Sequence, residues 1–254
     1  MEDREVVIRT DKLSKSFSVG GKQQHVIKNL DLEIYKGDFT VIMGSSGAGK
    51  STLLYMLSGM DKPSLGNITY CGQDITDMND DKLAVFRRKH CGFVFQQIHL
   101  VDSMSIMDNV ISTGMLIGQK QKALRSKAMG LFERMGISEE ITHKFPAQVS
   151  GGEAQRAAMV RALINDPDIV FADEPTGALN SAGVKSVLDV LTNINNTGQS
   201  VVMVTHDIKS ARRGNRIIYL QDGGIIGECK LERYVSGDKE RHEKIRRFLE
   251  EMGW

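Results

Sequence analysis

The sequence predicts an α/β fold: a core with a mainly parallel sheet, an antiparallel β region near the N-terminus, and an α-helical subdomain inserted into the core. Three observations carry this expectation. Short apolar runs alternate with longer segments of helical periodicity, as in chains that lay helices against a parallel sheet. Several of those runs are apolar on successive residues, the pattern of strands covered on both faces. One long stretch, from about residue 98 to 146, holds several helical segments and no convincing strand.

The elements follow in order. Residues 6–8 read as a first strand, and the Gly20-Gly21 pair marks a hairpin or loop. A strand at 39–43 leads into a helix at 50–57. A strand at 93–95 precedes the helical stretch, with helices at 122–135 and 152–164; the inserted subdomain is expected over about 98–160. A strand at 169–172, a helix at 182–194 and strands at 201–205 and 217–220 complete the core. Residues 1–231 are expected to form one domain. The tail, 232–254, differs: Ile245, Phe248, Leu249 and Met252 recur at helical spacing among Glu240, Arg241, Lys244, Arg246 and Arg247, an amphipathic helix. It either docks on the chain's own core or meets a partner.

Composition narrows the function. A chain of 254 residues is long enough to bury a substantial core. A net charge of +1 lacks the broad basic surface of nucleic-acid binders, so no nucleic-acid partner is expected, and Arg87-Arg88-Lys89 reads as a solvated helix face. Three cysteines, Cys71, Cys91 and Cys229, match no metal-ligand spacing and fit reduced thiols of the cytosol. Met1-Glu2-Asp3-Arg4 lacks the apolar stretch of a signal peptide. No apolar run approaches the roughly 18 to 20 residues that cross a bilayer. At a membrane, another chain would have to do the spanning.

Gly44-Ser45-Ser46-Gly47-Ala48-Gly49-Lys50-Ser51 fits the phosphate-binding P-loop, between a buried-type strand and a helix that continues at Thr52. The chemistry explains the residue types. Glycines let backbone N–H groups close round phosphate oxygens, and a helix N-terminus adds partial positive charge. Lys50 can reach the β- and γ-phosphates, and the Ser51 hydroxyl can ligate Mg²⁺. Further on, the apolar run 169–172 ends in Asp173-Glu174. Asp173 at a strand's C-terminal end suits Mg²⁺, and Glu174 is placed to orient or deprotonate the water that attacks the γ-phosphate. A base for water is of no use to a kinase, so the pair favours hydrolysis.

Val149-Ser150-Gly151-Gly152-Glu153 resembles the signature motif of ABC ATPases, commonly Leu-Ser-Gly-Gly-Gln, and the rest of that family's pattern follows in order. Phe17 sits where the family stacks an aromatic on adenine. Gln96 matches the Q-loop glutamine, Ala178-Leu179-Asn180 the D-loop, and His206 the switch histidine. The resemblance covers roughly residues 6–227 and implies a P-loop NTPase core that binds ATP with Mg²⁺. It implies a head-to-tail homodimer in which Ser150, Gly151, Gly152 and Glu153 of one copy face the P-loop of the other. Lys50, Gln96, Glu174 and His206 are then catalytic. Phe17, residues 44–52 and residues 150–153 bind nucleotide, and Ser51, Gln96 and Asp173 attend the metal. An integral membrane permease is the implied partner, which places the chain in the cytoplasm, peripheral to the inner face of the cell membrane.

Two positions depart from the family. Glu153 stands where glutamine is usual; Ser150-Gly151-Gly152-Glu153 reads as a helix capping box, which either residue can close. Asn180 stands where aspartate is usual, keeping side-chain hydrogen bonding and losing a charge. Residues 92–96, 171–179 and 204–207 look like the branch that contains the MacB, LolD, FtsE and bacitracin-exporter ATPases. Export or resistance work on antimicrobial peptides, macrolides or lipoproteins is the implied use, with FtsE-like mechanotransmission, which moves no substrate, as the alternative.

Overall fold

The computed structural model describes residues 4–254; residues 1–3, where the stretch examined for a signal peptide begins, lie outside the described residues. In chain order the elements are β1 (Val6–Val19), β2 (Lys22–Tyr35), β3 (Phe39–Met43), α1 (Lys50–Leu57), β4 (Leu65–Tyr70), β5 (Gln73–Asp74), α2 (Asp80–His90) and β6 (Cys91–Phe95). Next come α3 (Ile106–Met115), α4 (Gln121–Arg134), α5 (Glu139–Thr142), α6 (Gly151–Leu163), β7 (Ile169–Asp173) and α7 (Ser181–Asn196). The chain closes with β8 (Ser200–Val204), α8 (Ile208–Ala211), β9 (Arg216–Gln221), β10 (Gly224–Lys230) and α9 (Lys239–Glu251). They form two compact units, Met1–Leu83 with Asn195–Trp254, and Ala84–Ile194.

In the first unit β1 and β2 make a long antiparallel hairpin turning at Gly20-Gly21, and β1 also pairs antiparallel with β4. This is the expected N-terminal β region. The strand β3 lies between β8 and β9 and runs parallel to both, and β10 pairs antiparallel with β9. Every residue of β3 and β8 is buried, which is why both read as unbroken apolar runs. Leu53, Leu54, Met56 and Leu57 bury the inner face of α1.

In the second unit β6 and β7 pair in parallel, with Phe93 opposite Phe171 and their rings stacked at 5.7 Å. The helix α6 lies close on β6 because residue 92 is glycine: a Cβ there would stand 2.5 Å from the Ala162 carbonyl oxygen. The helices α3 to α6, expected over 98–160, thus share a unit with two strands of the core.

Several elements went unread as individual segments. The first four residues of β2, Lys22-Gln23-Gln24-His25, are exposed and polar, so their strand character comes from pairing with β1 rather than from an apolar run. The helix α2 has mostly charged residues; only Leu83 and Phe86 are buried, and the Arg87-Arg88-Lys89 cluster falls in its last turn, where cations favour the helix dipole. The tail helix α9 buries Ile245 and Leu249 completely or nearly so, at 0% and 1% exposure. Gly227 on β10 makes the room: a Cβ there would stand 3.0 Å from the Phe248 ring. Of the two readings of the tail, its apolar stripe lies on the chain's own core. Among the described residues no helix is long and apolar enough to cross a membrane.

Candidate nucleotide site

The P-loop occupies the turn between β3 and α1, as its sequence context requires. Two of its glycines are needed for different reasons. Gly44 has φ +153°, and a Cβ there would collide with the carbonyl oxygen of Leu220 at the end of β9. Gly49, the N-cap of α1, has φ +97° and no side chain to cap the helix, so the first N–H groups of α1 have no side-chain acceptor at that position. A helix N-terminus at the end of a glycine loop is the elementary anion cradle. Lys50 Nζ lies across the loop, donating to the carbonyl oxygens of Gly44 at 2.9 Å and Ser45 at 2.8 Å. Ser45, Ser46 and Gly47 are exposed, whereas Ala48 is turned inward, 5% exposed, with its N–H bonded to the Ser45 carbonyl. Ser51 and Thr52 are half-buried on the first turn of α1.

The same unit holds Phe17 and His206. Phe17, on β1, keeps its ring 40% exposed, with Lys15 Nζ 5.0 Å from the ring centroid. An exposed ring backed by a cation suits stacking of an electron-rich base. His206 follows β8, beyond the fully buried Thr205, and is exposed. Asp207 then caps α8, accepting from the N–H groups of Lys209 at 3.1 Å and Ser210 at 2.9 Å.

In the second unit the parallel register sets Phe95 opposite Asp173, so the residues that follow each strand, Gln96 and Glu174, leave from the same end of the pair. Glu174 has φ +45°, a left-handed conformation that costs a non-glycine residue on the order of 1 kcal/mol and gathers at functional sites. The turn after it brings Gly177 back, its N–H donating to the Glu174 carbonyl at 3.0 Å. Gly177 lies directly against the Gln96 side chain.

The signature segment starts α6. Ser150 is the N-cap: its Oγ accepts from the Glu153 N–H at 3.3 Å, while Glu153 Oε2 accepts from the Ser150 N–H and Oγ–H, both at 2.7 Å. The capping box read from the sequence is therefore formed. Those two bonds hold the Glu153 carboxyl below its usual pKa, against a smaller opposing effect of burial and with help from Arg156. Asn180, the second departure, is the N-cap of α7: its Oδ1 accepts from the Gly183 N–H at 2.9 Å, work that aspartate and asparagine do equally well.

Sequence reasoning missed Gln155, two residues beyond the motif. It is 1% exposed, and its Nε2 donates to the carbonyl oxygens of Phe95 and Pro175, both at 2.9 Å. One side chain on α6 thus ties the end of β6 to the turn after Glu174. A buried polar residue on the apolar face of α6 was the signal that could have revealed it.

Known proteins resemble this chain in sequence and in fold. A family profile described as ABC transporter matches residues 27–177. The macrolide export ATP-binding/permease protein MacB of Hahella chejuensis is 39% identical over 225 residues, 89% of this chain and 34% of that protein. The MacB of Shewanella sp. (strain ANA-3) is 41% identical over 214 residues, 84% of this chain and 32% of its own length. The chain therefore spans about a third of the relatives it matches. Among solved structures, the dimeric ATP-binding cassette MJ0796 in a post-hydrolysis state, bound to ADP and Pi, superposes with a TM-score of 0.82 at 36% identity, covering 89% of this chain and all (100%) of that one. The cbiO1 protein of Clostridium perfringens, part of the cbiONQ transporter complex, gives 0.81 at 26% identity, with 98% of each chain covered. The glycine loop, the capped helix α6 and these likenesses lead to one conclusion: the chain belongs to the ABC transporter family, as an ATP-binding cassette of ATP-hydrolysing type that is similar to part of MacB.

Proposed function

We propose that this cassette is the motor subunit of a bacterial ABC transporter, working as a head-to-tail homodimer with ATP sandwiched between copies and driving a separate membrane permease. The observation that carries the reading concerns Gly151 and Gly152. Neither has a positive φ, and a Cβ on either would meet nothing nearer than 3.4 Å. Nothing within the chain requires glycine there, yet a glycine-faced helix N-terminus is what a phosphate approaching from a second copy would need. The dimeric state of the MJ0796 cassette supports the same arrangement.

Each residue takes its role in its own unit. Phe17 stacks the adenine, residues 44–52 hold the phosphates through backbone N–H groups, and Lys50 leaves the Gly44 and Ser45 carbonyls for phosphate oxygen. Glu174 orients or deprotonates the attacking water, and His206 contacts the γ-phosphate. Ser51 in the one unit, and Asp173 and Gln96 in the other, each offer an oxygen donor of the kind taken by Mg²⁺, a hard cation that would neutralise charge on the phosphates. Gln96 passes the nucleotide state to the helical subdomain over about 98–160, which docks the permease; residues 232–254 form an extension. The cargo class of the relatives, macrolides, extends to peptides or lipoproteins in this reading. The chain then works at the inner face of the cell membrane.

The test is Glu174→Gln. It should bind Mg·ATP, elute as a dimer on a sizing column and hydrolyse almost nothing. Wild-type turnover by that variant removes Glu174 from its role, and a persistent monomer with bound ATP removes the sandwich.

A further inference from the structure

The tail helix does more than cover the sheet. Its first turn carries Arg241, 4% exposed, and every nitrogen of that guanidinium donates to a main-chain carbonyl. Nε donates to Arg212 at 2.6 Å, Nη1 to Glu232 at 2.8 Å, and Nη2 to Gly214. Arg212 is the C-cap of α8, and Gly214 lies two residues beyond it. The tie is returned: Arg212 Nη2 donates to the Asp238 carbonyl at 3.0 Å, and the Asp238 carboxylate caps α9 by accepting from the Arg241 N–H at 2.9 Å.

The held segment is the one that begins at His206. Asp207, its neighbour, caps the N-terminal end of α8. The helix α8 has only four residues, far too few to persist by its own hydrogen bonds. The negative end of its dipole lies at its C-terminus, and there the carbonyls of Arg212, its C-cap, and of Gly214 just beyond accept from the buried Arg241 cation. The apolar face of α9, through Ile245 and Leu249, anchors the helix independently of that cation.

We propose that Arg241 is a positioning residue for ATP hydrolysis: through the carbonyls of Arg212 and Gly214 it fixes the short helix that follows His206, and so fixes the histidine, without touching nucleotide. This rests on the reading of His206 as the γ-phosphate contact. It gives the C-terminal helix a part in turnover, and it makes turnover sensitive to anything that lifts α9.

The experiment uses the full chain with Arg241→Met, Arg241→Lys and, in parallel, His206→Ala. Readouts are kcat and KM for ATP, affinity for a fluorescent ATP analogue, and amide hydrogen exchange. Arg241→Met should lower kcat roughly tenfold, short of the hundredfold that a misplacement of about 1 Å can cost, with KM and analogue affinity nearly unchanged. Exchange should rise in residues 206–214 and stay constant in residues 44–52. Arg241→Lys, which keeps a cation for part of the carbonyl set, should recover some of the loss. Wild-type kcat in Arg241→Met, or a uniform rise of exchange across the chain, overturns the proposal. Wild-type kcat in His206→Ala overturns instead the role of the histidine on which it rests.

Discussion

Gln96 and Gly177 are in direct contact: a Cβ on residue 177 would stand 2.7 Å from Gln96 Nε2 and 3.0 Å from its Cδ. The glutamine that follows β6 therefore rests on the turn that follows Glu174, and the space exists only because residue 177 has no side chain.

Gly177→Ala should accordingly move the glutamine and little else. The atoms in the way are the far end of a flexible side chain, and residue 177 does not have a positive φ, so the cost in stability should stay within about 1 kcal/mol. ATP hydrolysis should nonetheless fall several-fold, with a higher Mg²⁺ concentration needed for half-maximal rate. Steady-state ATPase assays across a Mg²⁺ titration check this; an unaltered Mg²⁺ dependence counts against a metal role for Gln96.

Glu153→Gln should leave ATPase kinetics nearly unchanged, since glutamine also closes a capping box. Stability should change in a pH-dependent way. The folded-state pKa of Glu153 is held below its unfolded value by the Ser150 hydrogen bonds. Its charge-dependent contribution is thus present above the unfolded carboxylate pKa and lost as pH falls through the folded one. That contribution is of the helix-terminus kind and screened by solvent, no more than about 1 kcal/mol. Thermal melts from pH 7 down to acid should show the gap between wild type and variant closing; a gap that widens in acid has the wrong sign. A several-fold fall in apparent KM for ATP would mean that the carboxylate weakens nucleotide binding after all.

Gln155 gives a contrast between two replacements. Its Oε1 is buried without a hydrogen-bond partner, while its Nε2 satisfies two carbonyls. Gln155→Met strands those carbonyls, at a cost of about 1–3 kcal/mol, partly offset by removing the stranded oxygen. Gln155→Glu places a second oxygen against two carbonyl oxygens in a buried site, which disfavours the charged form, and should destabilise more. Denaturant unfolding at neutral pH ranks the two; a glutamate variant as stable as wild type would mean that the tie between β6 and the turn after Glu174 is idle.

The residues of this site were legible where the determinants are local. The helix expected at 50–57 is α1, with the same ends, because β3, the glycine loop and the N-terminus of α1 are encoded within about twenty consecutive residues. The capping box of Ser150 and Glu153 was readable for the same reason: both partners lie within one turn. The strand β10 was not, because Gly224-Ile225-Ile226-Gly227 has no strand-like alternation and gains its place from pairing with β9 and from receiving Phe248 on Gly227. Glu174 was assigned its chemistry from sequence, yet its left-handed backbone conformation was invisible there, since no glycine or asparagine announces it.

The sequence by itself determined the fold class, the glycine loop between β3 and α1, the capping box of α6 and the family, because apolar periodicity and short-range hydrogen-bonding partners are written along the chain. Tertiary structure alone decided that Gln155 joins β6 to the turn after Glu174, that the tail lies on the chain's own sheet, and that Arg241 closes α8. Those choices pair a side chain with carbonyls that are about 20 to 60 residues away in the chain and belong to residues of any type. A main-chain acceptor leaves no mark in the sequence, so only packing can name it.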